Sequence, residues 1–394
     1  METMTANDKI LLVGGGGVPN YGDELILESW LRWYVDQRGV GGRGIHIEGG
    51  HHRVLYSLFQ DRYPGVVHSS HIRKARIEPE PEFFASVAKG YGFMQQHPDH
   101  PLTKLIEGLD VYHLHGGGYL NDRWPTHGFM VGLGLAAKEH TGCRLVGTGL
   151  GLGPLAAPTA DDTLAPKAFG AFDLLEVRDD WSRDYLVNNG LSDTVIRGLD
   201  DVFLQPPAAQ AWERPTLHLS LRADATGASV AERLTSTFVG GFDRHVFWMG
   251  TIRDMIAYEQ VSKRFPFFEV RSVHDLMRGF PSGPNDFMIT QRFHPHLIGA
   301  RAGMQGMYSS GSDYYDVKHG SVVELGSPFT ALDLDALEGG RPAPVAGTLA
   351  ARDAELVAQK RATASGIADG LRAEPTPLRQ AGMQLGKIVG RLKR

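Results

Sequence analysis

Arg292 and His294 stand two positions apart in Thr290-Gln291-Arg292-Phe293-His294-Pro295-His296, between an apolar run and a helix-like segment. A guanidinium offers a planar fork of donors that suits a carboxylate or a phosphate, and an imidazole can hold or release a proton near neutral pH. Together they would make a site for anion binding and proton transfer. Asp286 to Thr290 reads as a buried strand and Pro295 to Gly303 as the first turns of a helix, which puts both side chains at a strand-to-helix junction. Ligands of open α/β sheets bind at that edge. The same residues also allow a structural reading, in which Arg292 makes an ion pair and His294 a capping hydrogen bond.

The elements that must position them recur along the chain. Short apolar runs at Ile10–Val13, Val111–His115, Arg144–Gly147, Leu174–Val177, Leu217–Leu221, His245–Met249 and Phe287–Thr290 alternate with helical patterns. That alternation predicts parallel α/β sheets with helices on both faces. Gln205-Pro206-Pro207-Ala208-Ala209-Gln210 reads as a linker. We therefore expect an N-terminal α/β domain over residues 1–205, a C-terminal α/β domain over 206–345, and terminal helices with a basic tail over 346–394. Two such halves imply a cleft with the active site between them.

The composition of the 394 residues, 42% hydrophobic and 22% charged, is that of an ordinary soluble globular chain, with 49 glycines as its main departure. A net charge of -5 argues against general nucleic-acid binding, which needs a basic excess. Only the end is basic, where Arg379, Lys387, Arg391, Lys393 and Arg394 interleave with apolar residues. This pattern fits an amphipathic helix touching an anionic membrane surface, or a solvated helix packed back on the protein. With Cys143 as the only cysteine there is neither a disulfide framework nor a cysteine zinc site. The first residues lack the pattern of a secretory leader, and the longest apolar stretch, near Phe129 to Ala137, is too short to span a bilayer. The expected location is the cytoplasm, with peripheral contact at the inner membrane face through the tail.

Three glycine-rich turns follow strands. Gly14-Gly15-Gly16-Gly17 leads into Val18-Pro19-Asn20-Tyr21-Gly22-Asp23, after which a helix begins. Its spacing departs from the dinucleotide fingerprint, since Pro19 takes the third glycine position. Asn20 and Asp23 could bond hydroxyls of a ligand or cap that helix. His115-Gly116-Gly117-Gly118-Tyr119-Leu120-Asn121-Asp122 is the second turn, with Gly117 and Gly118 opening space beside the backbone and Asn121 and Asp122 placed to meet sugar-like hydroxyls. Gly147 to Pro154 is the third. His113 with His115, and His294 with His296, have alternating spacing but no matching carboxylates, and we assign no metal.

In this order the chain resembles the polysaccharide pyruvyl transferase family. The segments that carry the resemblance are Asn20-Tyr21-Gly22-Asp23-Glu24, His115 to Leu120, Gly149 to Pro154, Val177 to Ser182, Asp200-Asp201, Ser220-Leu221-Arg222, Arg292-Phe293-His294 and Tyr315-x-x-Lys318. Phe293 stands where the family commonly has Leu. The resemblance implies two Rossmann-like domains facing a cleft, like the GT-B glycosyltransferases. It also implies phosphoenolpyruvate as co-substrate on the C-terminal side, a saccharide or glycolipid acceptor on the N-terminal side, and no cofactor. By matched motif, Arg222 and Arg292 would bind the donor's phosphate and carboxylate, with Phe293, Tyr315 and Lys318 completing the pocket, and His294 would be the catalytic imidazole. Asn20, Gly117, Gly118, Asn121 and Asp122 would meet the acceptor, and Asp23 would take hydroxyl protons. The expected product is a cyclic pyruvate ketal in cell-surface polysaccharide or glycolipid synthesis. Alternatives are a glycosyltransferase using a nucleotide sugar and a non-catalytic saccharide-binding protein.

Overall fold

Largely apolar runs form the middle strands of two sheets, and shorter, more polar segments complete the edges. The computed structural model describes residues 8–76, 82–207, 212–309 and 311–369. In the first sheet are β1 (Ile10–Val13), β2 (Ile45–Glu48), β3 (Val67–Ser69), β4 (Val111–Leu114), β5 (Arg144–Leu150), β6 (Leu174–Val177) and β7 (Ile196–Arg197). In the second are β8 (Thr216–Ser220), β9 (Arg244–Trp248), β10 (Glu269–Arg271), β11 (Phe287–Thr290), β12 (Gln305–Tyr308) and β13 (Phe329–Ala331). The orders are β3-β2-β1-β4-β5-β6-β7 and β10-β9-β8-β11-β12-β13. Every pairing is parallel. Three strands laid outward in reverse order, then a switch to the other side, is the Rossmann arrangement, and the chain uses it twice. Parallel strands need cover on both faces, and β1, β4 and β11 are buried along their whole length.

By its contacts the chain forms two units. One takes in the chain up to Val18, Ile26–Leu204 and the chain from Gln359, and the other Pro19–Leu25 and Gln205–Ala358. Residues 346–394 therefore do not form a third unit among the described residues, because the helix Leu349–Asp369 passes from the second unit to the first at Gln359. The basic residues Arg379 to Arg394 lie outside the described residues.

In the first unit the apolar stretch near Phe129 belongs to the helix Gly128–Thr141, which packs on the helix Phe83–Gln96. A Cβ at Gly132 would lie 1.9 Å from the Val87 carbonyl oxygen, and one at Gly128 would lie 2.1 Å from that of Phe83. The glycines thus let one backbone rest directly on the other, which explains an apolar run that is buried throughout. No helix among the described residues is long and apolar enough to cross a membrane.

A buried ionic cluster ties the glycine turns of this unit together. Asp201, with no exposure, accepts hydrogen bonds from Trp30 Nε1 (2.6 Å), Thr148 Oγ1 (2.9 Å) and the Gly116 N–H (2.6 Å), and it pairs with Lys360 Nζ at 2.5 Å. Lys360 also donates to Glu176, whose carboxylate takes the N–H groups of Gly149 (3.3 Å) and Leu199 (3.2 Å). Burial works against every charge here, but the ammonium holds Asp201 below the usual carboxylate range, and the two carboxylates hold Lys360 above its own. Glu176 is pushed up by its burial. Breaking a buried pair by removing one partner costs about 3–5 kcal/mol. Lys360→Met is accordingly expected to lower stability by roughly that amount at neutral pH, and adding Asp201→Asn to recover part of it. Urea denaturation of the three proteins measures both, and an unchanged midpoint for Lys360→Met would contradict this role.

Candidate functional site

The register of the second sheet sets the turns that carry two arginines side by side. Ser220 of β8 pairs with Thr290 of β11, so Arg222 and Arg292 each lie two residues past paired strand ends. Neighbouring strands run roughly 4.8 Å apart. Gln291 ties the two turns together: its side-chain carbonyl accepts the Arg222 N–H at 2.8 Å and its amide donates to Asp224 at 2.9 Å. Arg222 Nε lies 3.3 Å from Asp224 Oδ2, and the guanidinium carbon stands 4.6 Å from the centre of the Tyr315 ring. Lys318, on the same helix Asp313–Glu324, donates to the Tyr314 hydroxyl, and its ammonium lies 5.6 Å from the Tyr315 ring centre. Three of the residues expected to hold the donor, Arg222, Tyr315 and Lys318, thus stand together, and the register brings the Arg292 turn beside that of Arg222.

Arg292 is half committed to the protein. Its Nε donates to Asp254 Oδ2 at 3.1 Å, and Nη2 donates to Asp254 Oδ1 and to the Thr251 hydroxyl (3.2 Å). The ion pair anticipated as the structural alternative is therefore real. It uses one edge of the guanidinium and leaves Nη1 with no partner among the described residues. Two permanent cations past adjacent strand ends, each steered by a carboxylate, can hold a compact polyanion in a fixed orientation.

His294 lies in the first turn of the helix Phe293–Arg301, half-buried. The Phe293 ring is 6% exposed and meets the imidazole edge-on at 4.8 Å between centres, so it packs behind the histidine. Against the other side of His294 lies the segment Asn20 to Asp23. Asn20 bridges Thr251 in antiparallel fashion, the Tyr21 N–H donates to the Gly250 carbonyl at 2.9 Å, and a Cβ on Gly22 would lie 1.8 Å from His294 Nδ1. Only glycine lets the backbone approach an imidazole this closely. The helix starts at Tyr21, earlier than its sequence suggests, so Gly22 and Asp23 occupy its first turn. Asn20 Nδ2 donates to Asp23 Oδ2 at 2.7 Å. Asn20 and Asp23, expected on the acceptor side of an N-terminal domain, group instead with the second unit and with His294.

The remaining expected acceptor residues lie in the first unit, after β4. Gly117 has a φ of +143°, a backbone state that glycine tolerates. Gly118 is partly exposed and accepts from the Asn121 amide at 3.1 Å. Asn121 is fully buried, and its carbonyl takes the Arg123 N–H at 3.0 Å, so its side chain braces the turn instead of facing solvent. Asp122 is exposed, with Oδ2 taking the Ala156 N–H at 2.6 Å. Of the alternating histidines, His113 and His296 are spent on protein partners. His113 lies 3.0 Å from the Tyr34 hydroxyl and 2.8 Å from Thr148 Oγ1, and burial pushes it down to about 3; His296 lies 2.9 Å from His319 and 2.8 Å from Ser327 Oγ. Among the described residues no three His, Cys, Asp or Glu gather as a metal site.

Sequence reasoning missed Asp254, Thr251, Gln291 and Asp224. A signal existed for the first two. Thr251-x-x-Asp254 has capping-box spacing, and Asp254 does close back on the Thr251 N–H at 3.1 Å. Nothing local marks that carboxylate as the partner of a guanidinium 38 residues away.

The family model described as polysaccharide pyruvyl transferase matches residues 20–305. No curated protein matches. Among solved structures, UDP-GlcNAc 2-epimerase from Neisseria meningitidis bound to UDP-GlcNAc is similar at TM-score 0.49 and 10% identity, over 98% of this chain and 100% of that one. MurG from Acinetobacter baumannii is similar at TM-score 0.42 and 11% identity, over 96% and 99%. At such scores neither likeness bears on what this chain does. The family match spans most of the chain, from the Asn20 turn through the helix of His294, and on that ground the chain belongs to the polysaccharide pyruvyl transferase family.

Proposed function

We propose that this transferase moves the pyruvyl group of phosphoenolpyruvate onto two hydroxyls of one saccharide residue, releasing phosphate and leaving a cyclic ketal. The observation that carries the reading is the placing of Arg222 and Arg292 past paired strand ends, with His294 in the helix turn that follows. Phosphoenolpyruvate is a small polyanion with a carboxylate and a phosphate on one carbon, which suits two oriented guanidinium groups. Lys318 adds a third cation beside Tyr315.

The chemistry assigns a task to each group. His294 delivers a proton to the methylene carbon, which becomes the methyl group and leaves cation character on the carbon bearing phosphate. An acceptor hydroxyl attacks that carbon and gives up its proton. Loss of phosphate restores a cation-like centre, a second hydroxyl of the same sugar closes the ring, and its proton also leaves. Asp23 is the residue we assign to accept these protons, with its carboxylate fixed by Asn20 and the preceding Gly22 against the imidazole. Asp122 is the second choice, on the turn after β4.

Phosphoenolpyruvate should raise the melting temperature, and UDP- or GDP-sugars should not. A rise with the nucleotide sugar alone would transfer the chain to glycosyl chemistry. Arg292→Ala by itself would strand Asp254 in the interior, so the informative variant combines it with Asp254→Asn. That protein should remain folded and bind phosphoenolpyruvate more weakly by about 2–5 kcal/mol.

Turnover is read by phosphate release over a panel of pyranosides, with mass spectrometry for the added pyruvyl group. His294→Ala is expected to abolish it while phosphoenolpyruvate still binds. Gly22→Ala should displace the imidazole and lower kcat by roughly 100-fold, the scale on which small misplacements of a catalytic group act. Wild-type kcat in either variant would remove His294 from the mechanism.

A further inference from the structure

At the carboxyl ends of β2 and β3, within the first unit, lies a cavity of about 370 Å³ that the reaction described above does not use. Its lining includes His51, His52, Arg53, Ser70, Arg73 and Lys74, and no Asp or Glu among the described residues lines it. Three permanent cations and two imidazoles thus face one hollow. Glu48, the carboxylate that ends β2, is buried and spent on the Ser69 hydroxyl and the N–H groups of His71 (3.0 Å) and Ile72 (2.9 Å).

The cavity is built with some care. Arg73 Nη1 donates to the Gly50 carbonyl at 2.6 Å and stands 2.6 Å from His51 Nε2, which fixes the guanidinium over the hollow. Ser70 Oγ accepts the His52 N–H at 3.0 Å. The side chains of Arg53 and Lys74 make no hydrogen bond or ion pair among the described residues. A second hollow of about 270 Å³ shares His52 and Arg53 and is lined further by Tyr56 and His68. Both ring nitrogens of His68 are buried with no hydrogen-bond partner among the described residues, and burial pushes the ring down to about 4.

Its position gives the ligand class. The glycine run after β1 packs directly on this wall: the Gly50 N–H donates to the Gly16 carbonyl at 2.7 Å, and a Cβ on Gly50 would lie 2.5 Å from Val18 Cγ2. In a parallel sheet of order β3-β2-β1-β4, the turn after β4 opens on the same edge, two to three strand spacings away, roughly 10–14 Å. A saccharide of one or two residues reaches that far. We propose that this cavity seats a phosphate or diphosphate group carried by the acceptor, so that the sugar lies toward the turn after β4 and its anionic end over β2 and β3. This extension rests on the saccharide-acceptor reading given above.

The probe is inorganic pyrophosphate titrated into the full chain, followed by the ring NMR signals of His51 and His52 and assigned with His51→Gln and His52→Gln. Saturable shifts of both signals are expected, and the Arg53→Gln/Arg73→Gln variant should weaken the affinity roughly ten-fold or more. With active enzyme, the same variant should raise KM by a similar factor for a saccharide 1-diphosphate and by less for the unphosphorylated saccharide. Signals that stay put, affinity unchanged in the variant, or equal KM effects on the two acceptors would each overturn the proposal. Binding to phosphatidylglycerol vesicles without response to pyrophosphate would also overturn it, in favour of membrane contact. Failure of the underlying reading shows separately, as no stabilisation by phosphoenolpyruvate and no phosphate release from wild type.

Discussion

Asp254 is closed off from solvent, and a carboxylate so placed needs a cation and hydrogen-bond donors around it. It finds them in Arg292 and Thr251, and this fixes everything built on the β11 turn. The guanidinium cannot swing, because two of its nitrogens are committed and its stem rests on Gly250. Only one edge faces outward. Thr251, which shares Asp254 with Arg292, is also the residue bridged by Asn20, so the same knot holds the segment that touches His294. Orientation is gained at the expense of net charge, since Arg222 and Arg292 each carry a carboxylate beside them. An anion at the proposed donor site would meet directed hydrogen bonds more than bare positive potential.

Much of the frame was legible in the sequence. β1, β6 and β11 have the bounds that their apolar runs indicate, β4 ends one residue earlier, β8 and β9 each start and end one residue earlier, and β5 runs three residues further. Strands buried on both faces are written as uninterrupted apolar runs, and a reader can find them. The outer strands escaped: β3 is Val-His-Ser, β10 Glu-Val-Arg and β13 Phe-Thr-Ala, short and partly exposed. Edge strands face solvent and carry polar residues for that reason. β2 and β12 also went unread, because Ile-His-Ile-Glu and Gln-Gly-Met-Tyr interleave polar with apolar side chains.

The site was legible in its residue types and illegible in its partners. Arg222, Arg292, His294, Tyr315 and Lys318 could be named from types and order, but the carboxylates steering the two arginines could not, since pairing across 38 residues leaves no local trace. Asn20 to Asp23 looked like part of the first sheet because it follows the turn after β1. Its allegiance to the second unit depends on a bridge to Thr251 and on the missing Cβ of Gly22, which are contacts of tertiary origin. Asn121, placed by its sequence to meet sugar-like hydroxyls, is buried, and its amide braces the turn from within.

The buried ammonium of Lys360 has a consequence for the order in which the chain can fold. Its partner Glu176 lies 184 residues earlier, and between them runs the whole sequence of the second sheet. Closing so long a loop costs chain entropy before the contact can repay it. On the ribosome, β1 to β7 emerge early, but two interior carboxylates then wait without their counter-ion until residue 360 appears. The first unit is therefore completed last. A nascent chain truncated before that point should hold its seven-stranded sheet in a loosened state, with the glycine turns at Gly116 and Gly149 anchored on only part of their cluster.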